Sequence, residues 1–287
     1  MTVLDRLALA AVMTIWALHF IVGKVGLSQF PPLFLIAIRL GIVALLLAPF
    51  LFRSRPPFRH LVGFALSLGV LHYGLLFAGL NGVDAGPAAI ATQLTVPFGL
   101  ILAAIFFREP LTPWQGAGMA GAFVGVWLLA GEPRVAPNLA SLLLVVSSSL
   151  AWAVTSIQIK RVPPIDPFVF NAWVAALASP VLLAASLAVE DRHAAILAEA
   201  DWRGWSAVLF SAVLASIVSW GLWYHLLAKY EVGRIVPMTL LVPVMAVVLA
   251  NLLRGEPATW EIVAGGLLTV TGVAVLHVAG SRARRLA

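Results

Sequence analysis

The sequence predicts an all-α integral membrane protein, ten transmembrane helices built as two inverted five-helix repeats. Three observations predict it: the composition, a series of long apolar runs, and an ordered internal duplication. Of 287 residues, 62% are hydrophobic and only 10% charged, with a mean hydropathy of +1.02. Soluble domains run near ~45–50% apolar and ~25% charged, so the excess has no place in one soluble globule. A spanning helix takes ~20 apolar residues and a short connection a few more, which divides the chain into about ten spans. Nothing remains for a soluble domain, which excludes a soluble enzyme, a receptor ectodomain and most cofactor-binding folds. The apolar runs are continuous, as from Leu100 to Phe107, whereas an outer-membrane barrel alternates apolar and polar residues.

In chain order the expected spans are 5–26, 33–52, 60–81, 86–107, 113–131, 138–160, 167–188, 204–227, 233–253 and 259–279. No small-residue cleavage site follows the first apolar core, so run 5–26 is expected to stay as a span. Pro31-Pro32 closes the first run and opens the second; Pro56-Pro57 precedes the third. Glu109-Pro110 ends the fourth, Pro133 follows the fifth, Pro163-Pro164 the sixth and Glu256-Pro257 the ninth. Proline lacks an amide donor and disfavours helix in the residue before it, so these are credible ends. The one sizeable connection, Glu190 to Arg203, is too short to fold alone.

The net charge of +6 follows the positive-inside rule and does not call for nucleic acid. With ten alternating spans, 12 of the 18 Lys and Arg fall on the side of the two termini and 5 on the other, with Arg39 inside a span. Both termini are therefore expected in the cytoplasm.

The duplication is read by shifting the chain on itself. At a shift of 136, Trp16-Ala17 falls on Trp152-Ala153, Lys24 on Lys160, Pro31 on Pro167 and Phe34 on Phe170. At 146–147, Gly74-Leu75 falls on Gly221-Leu222, Val96-Pro97 on Val242-Pro243 and Glu109-Pro110 on Glu256-Pro257. Gly118 then falls on Gly265 and Gly125 on Gly272. The matches keep their order, so two units are expected, 1–136 and 137–287. Five spans per unit is odd, so the second enters the membrane from the opposite side, the arrangement of many secondary transporters.

The segment from Trp16 through His19 to Lys24, with Pro31 and Arg39 beyond it, resembles the opening of EamA-type members of the drug/metabolite transporter superfamily. So does Leu94 to Pro97, leading through Arg108-Glu109-Pro110-Leu111-Thr112 to Trp114 and Gly125; the second unit repeats it at Leu241, Pro243, Glu256-Pro257 and Trp260. The resemblance covers almost the whole chain and implies a ten-span bacterial inner-membrane carrier that exports small metabolites. Within the superfamily the chain is similar to the YddG-type exporters of aromatic and other neutral amino acids. His19 departs from the commoner small or amide residue, and no role is carried over from that position.

The residues themselves point to a cavity. No Asp or Glu is placed in mid-span, which leaves a carboxylate proton relay without a candidate and a cationic solute without a counter-charge. Arg39, about six residues inside its span, reads either as a donor to a solute carboxylate or as a snorkelling or packing residue. His19 and His72 read as cavity hydrogen-bonders, proton carriers or packing groups. Lys24 and Lys160 read as interface anchors. Trp16, His19 and Phe20 share a helix face, as do Trp152, Thr155 and Ser156, and Ser216, Ser219, Trp220 and Trp223. The repeat places His72-Tyr73 on Ser219-Trp220. Pro97, Pro237 and Pro243 interrupt the fourth and ninth runs, and paired interrupted helices point to a transport site. Gln93 and its threonine neighbours Thr92 and Thr95 lie before Pro97, with Met238 and Thr239 before Pro243. The candidate solute-binding residues are thus Trp16, His19, Arg39, His72, Tyr73, Gln93, Trp152, Thr155, Ser156, Ser219, Trp220 and Trp223, with Pro97, Pro237 and Pro243 as hinges.

These walls suit a net-neutral zwitterion with an apolar side chain, so export of neutral amino acids by alternating access is expected. Other small solutes (drug-like cations, nucleosides, sugar derivatives) and a channel-like pore are the alternatives. There is no Cys, no HExxH, no GxSxG and no phosphate-binding loop, so no enzyme, metal, cofactor or ATPase subunit is implied. The expected partners are a small-molecule substrate and the lipid bilayer, with no nucleic acid; the oligomeric state is open.

Overall fold

The computed structural model describes residues 1–54 and 56–286, without the side chains of 232, 233 and 280–286. Arg55 and the side chains of Arg282, Arg284 and Arg285, counted in the charge bias, lie outside the described residues. In chain order the longer helices are α1 (Val3–Leu27), α2 (Pro32–Leu46), α3 (Phe58–Gly82), α4 (Ala85–Phe107), α5 (Pro113–Ala130), α6 (Ala136–Lys160), α7 (Pro167–Val189), α8 (Trp202–Lys229), α9 (Val236–Arg254) and α10 (Trp260–Leu286). Among the described residues eight of them are long and apolar enough to cross a membrane. The other two are α2 and α5, with 15 and 18 residues.

The expected run 33–52 is thus cut short. Helix α2 stops at Leu46, and a separate turn, Ala48–Leu51, follows. Pro49 cannot donate the amide bond that would have carried the helix through. The 190–203 connection also folds a short helix, His193–Glu199, where a plain loop was expected.

Side chains fix several helix starts. Thr112 and Gln115 form a reciprocal capping box on α5. Asp166 accepts from two amides at the start of α7, and Asp201 does the same for α8. The Glu190 carboxylate takes the amides of Leu33 and Phe34 at 2.9 Å each, tying the end of α7 to the start of α2.

The irregularities recur in pairs that follow the sequence repeat. Helix α3 is wound as π-helix over Ala65–His72, and α8 over Phe210–Val218. Tight 3-10 turns occupy Thr92–Leu94 and Val236–Leu240. Helices α4 and α9 end on left-handed residues, Arg108 at φ 55° and Gly255 at φ 66°, which the 147 shift superposes. Glycine adopts that conformation freely; an arginine there costs about 1–2 kcal/mol.

Helices α5 and α10 cross with backbone on backbone. A Cβ added at Gly118 would lie 2.7 Å from the Gly272 carbonyl oxygen, and one at Gly272 2.6 Å from that of Gly118. Gly125 and Gly265 repeat the relation at 2.5 and 2.6 Å. The 147 shift exchanges these two pairs, so the crossing is symmetric about the repeat axis. Small residues permit such approach where lipid supplies no hydrophobic drive.

Candidate functional site

A cavity of about 420 Å³ lies inside the bundle, walled by α1, α2, α3, α4, α6, α8 and α9. Its size falls in the ~300–1,000 Å³ range of small-molecule sites. Of the expected solute-binding residues, it brings together Trp16 and His19 of α1, Arg39 of α2, His72 and Tyr73 of α3, Gln93 of α4, Trp152 of α6, and Trp220 and Trp223 of α8. Apolar wall is added by Phe20, Leu76, Ala215, Val236 and Val242.

The aromatic wall is continuous. The Trp16 ring lies 5.4 Å from that of Trp220 and 5.2 Å from that of Trp223. Trp220 lies 5.8 Å from Trp152, and Trp152 meets His72 edge-on at 4.6 Å. Two contacts are repeat-related. Trp16 Nε1 donates to Ser219 Oγ at 2.9 Å between α1 and α8, where Trp152 meets His72 between α6 and α3. The His72 ring is fixed from behind, its Nδ1–H donating to the Ser148 carbonyl at 2.9 Å.

Arg39 does not snorkel. Its side chain is folded into the bundle and is only 2% exposed. Nε and Nη2 donate to Ser216 Oγ at 3.2 and 2.9 Å. The guanidinium lies over the Tyr73 ring at 4.6 Å and 5.8 Å from the Phe77 ring. Ser216 can serve it because its own hydroxyl donates five residues back, to the Ser211 carbonyl at 2.8 Å, a reach that the π-wound segment provides. Arg39 Nη1 and His19 Nε2 are both buried and bonded to no protein atom.

The helix breaks face the same cavity. In an α-helix the amide of residue 97 would bond the carbonyl of Gln93, and that of residue 243 the carbonyl of Thr239; Pro97 and Pro243 supply neither. Gln93 and Thr239 both line the cavity, as do Thr92 and Thr95. Thr92 Oγ1 donates to the Ala89 carbonyl and Thr239 Oγ1 to that of Val236, each at 2.8 Å. Pro97 and Pro243 are buried behind the wall, and Pro237 stands in the 3-10 turn itself.

Three expected residues fall elsewhere. Thr155 lines a smaller cavity of about 130 Å³, which shares Tyr73, Trp152 and Trp220 with the first, and its hydroxyl lies 2.8 Å from Ser67 Oγ. Ser156 is exposed and bonds back to the Trp152 carbonyl at 3.2 Å. The i, i+3, i+4 face of α6 is thus split: Trp152 meets the cavity, Thr155 turns to Ser67 of α3 and Ser156 to the outside. Ser219 is 0% exposed and stands behind Trp16 as its hydrogen-bond acceptor. The lysines are more than interface anchors. Lys24 Nζ donates to the carbonyls of Leu80 and Val83 at 3.1 Å, capping α3, and Lys160 pairs with Glu109.

The bundle face opposite the termini is cross-tied. Besides Lys24, Arg134 pairs with Asp84 at 3.0 Å, and Glu256 accepts the Gly86 amide at 3.3 Å. Among the described residues no three His, Cys, Asp or Glu side chains are grouped to hold a metal ion.

Comparison with known proteins places this geometry. The EamA-like transporter family matches residues 6–131 and again 139–278. The chain is 32% identical to a probable amino-acid metabolite efflux pump of Salmonella typhimurium (strain LT2), over 96% of this chain and 95% of that protein. It is also 32% identical to the probable amino-acid metabolite efflux pump of Escherichia coli (strain K12), over 98% and 97%. An uncharacterized transporter of Bacillus subtilis (strain 168), YoaV, is 24% identical over 93% and 94%. A solved crystal structure shares the fold at a TM-score of 0.64 and 19% identity, covering 100% of this chain and 99% of that one. A two-fold repeated helical bundle, with its breaks and its aromatic cavity between the halves, is thus a multi-pass membrane transporter, and the chain belongs to the EamA-like transporter family of the drug/metabolite transporter superfamily.

Proposed function

We propose that the chain is a secondary carrier of the bacterial inner membrane that exports neutral amino acids, aromatic ones among them, by alternating access. The observation that carries this reading is the cavity itself. Indole faces from α1, α6 and α8, a buried guanidinium on α2 and proline-broken backbone on α4 and α9 converge between the two sequence repeats. Indole faces accept an apolar side chain and attract an ammonium, worth ~0.5–2 kcal/mol. Arg39 brings a positive charge to the cavity wall for a carboxylate. The relatives named as amino-acid metabolite efflux pumps support the same class.

In this reading residues 1–136 and 137–287 are the two inverted units. Helices α2 and α5 complete ten spans, and both termini are cytoplasmic. The ties at Lys24, Arg134 and Glu256 then close the outer face, and they must open in the other half of the cycle. Cells that express the protein are loaded with a panel of labelled amino acids and their efflux is followed. Faster efflux of phenylalanine, methionine or threonine than in cells without the protein supports the reading. Efflux of lysine or polyamines alone overturns it. A C-terminal reporter active only in the periplasm overturns the topology.

A further inference from the structure

Arg39 carries the one formal charge on the cavity wall, and nothing in the described protein balances it. No described Asp or Glu lines the cavity, and none of the ion pairs among the described residues includes Arg39. Arginine stays protonated in proteins. Two of its five N–H groups, that of Nε and one of Nη2, reach Ser216, and Nη1 has no protein hydrogen-bond partner. A second buried polar atom without a protein partner, His19 Nε2, belongs to another residue of the same wall. The His19 ring lies 5.6 Å from the Phe77 ring and the Arg39 guanidinium 5.8 Å from it. Both line the cavity. In its Nε2–H tautomer His19 is a neutral donor, so Arg39 alone brings charge to this wall. A buried charge with no counter-charge is costly, so a cavity walled by Arg39 and no carboxylate favours an anion inside it.

We infer that the cavity selects its solute by net negative charge, taking an organic monocarboxylate whose amine is masked or missing ahead of a zwitterion. This rests on the reading of the cavity as the solute site and, within that site, ranks an anionic carboxylate above the zwitterionic amino acids. A monoanion on Arg39 leaves the loaded cavity neutral. A zwitterion leaves one positive charge, on an ammonium that finds no carboxylate among the lining side chains. A solute cation would meet the guanidinium with no counter-charge at all. The empty carrier, moreover, returns with Arg39 charged while the loaded one crosses neutral. Each cycle therefore moves one negative charge, and an inside-negative potential drives the anion out. At 100 mV that is worth an outward concentration ratio of about 50-fold, at one charge per cycle.

The test uses the full chain in detergent and in proteoliposomes with four matched probes. They are N-acetylphenylalanine (an anion), phenylalanine (a zwitterion), N-acetylphenylalanine amide (neutral) and phenylalanine amide (a cation). Binding is read by the change in tryptophan fluorescence. N-acetylphenylalanine is expected to bind at least about ten-fold more tightly than either phenylalanine or the neutral amide, an increment one charge-assisted hydrogen bond supplies. The cation should bind weakest. Efflux of labelled N-acetylphenylalanine from vesicles should rise when a potassium gradient with valinomycin makes the lumen negative. Arg39→Lys should keep the order of the four probes with lower affinity, and Arg39→Gln should erase it; the wild-type order decides the matter even where a variant fails to fold. The inference is overturned if the neutral amide binds as tightly as the acid, if phenylalanine binds more tightly than its acetylated form, if efflux ignores the potential, or if Arg39→Gln keeps the order. Phenylalanine moving while the acetylated acid does not refutes the inference and leaves amino-acid export standing. If none of the four binds or moves, both readings fall.

Discussion

Replacing Ser216 by Ala should destabilise this protein through a residue on another helix. The Ser216 oxygen is the protein hydrogen-bond acceptor of the Arg39 guanidinium, at 3.2 and 2.9 Å. Arg39 is 2% exposed, so little bulk water can take the place of the hydroxyl. Hydrogen bonds to charged groups contribute about 1.5–3 kcal/mol, and an unsatisfied buried charge costs at least that much. Part of any loss comes from Ser216's own bond to the Ser211 carbonyl, so the single variant overstates the effect. A double-mutant cycle with Arg39→Met removes that part. Arg39→Met deletes the charge and leaves an apolar chain of similar length, a change that is often neutral or stabilising for buried ions. Ser216→Ala should then cost about 1.5–3 kcal/mol more beside Arg39 than beside Met, or about 3–10 °C in the melting temperature. Far-UV circular dichroism of the detergent-solubilised protein reads this directly. Equal losses in the two backgrounds would refute the claim that Ser216 holds the Arg39 guanidinium.

Three further outcomes are expected. Trp16→Ala, Trp152→Ala and Trp220→Ala should each reduce solute flux at least about ten-fold, at the level of one lost ~1.4 kcal/mol contact, while expression is unchanged. Trp114→Ala and Trp260→Ala, at residues 72% and 67% exposed, should leave flux near wild type; the reverse pattern would misplace the cavity. On α5, Gly118→Ala should lower stability by about 1–3 kcal/mol, because its Cβ meets the Gly272 carbonyl, whereas Gly116→Ala has open space and should stabilise by ~0.4–1 kcal/mol. Thermal melts that rank the two alike would contradict the α5–α10 crossing. Asp201 is held below its ordinary value of 3.8 by the Gln29 amide, then by the amides of Arg203 and Gly204. A lowered folded pKa contributes stability that is present above the ordinary value and lost as pH falls through the lowered one. Melts across the acid range should therefore show a shallower loss in Gln29→Ala, and an unchanged slope would exclude the contact.

Much of this arrangement is legible in the residues, for identifiable reasons. Apolar runs report helix existence because lipid forces every backbone group to be satisfied within the segment. The order of the repeat reports pairs of equivalent places, and the structure returns them as pairs of π segments, 3-10 turns and left-handed ends. Proline position reports where the α pattern breaks, and Gln93 and Thr239, one turn before Pro97 and Pro243, both line the cavity. Helix rotation is what periodicity leaves open. The stripe through Trp152 includes both Thr155 and Ser156 in sequence, and only packing against Ser67 turns Thr155 inward. The fate of Arg39 was hidden for a related reason. Its depth along the span is the same whether it snorkels or folds inward, and its partner Ser216 is 177 residues away. The π segments leave no mark in composition, so the reach of Ser216 to Ser211 could not be read.

The central claim, that the cavity is the solute site of a carrier, meets its most direct test in counterflow. Proteoliposomes of the wild type and of Trp152→Ala are preloaded with unlabelled phenylalanine or with buffer, and uptake of labelled phenylalanine is timed with no imposed proton gradient. The account predicts transient accumulation only in preloaded wild-type vesicles, and its loss in Trp152→Ala. Uptake indifferent to preloading would mean a pore, and counterflow unchanged in Trp152→Ala would mean that the solute passes elsewhere.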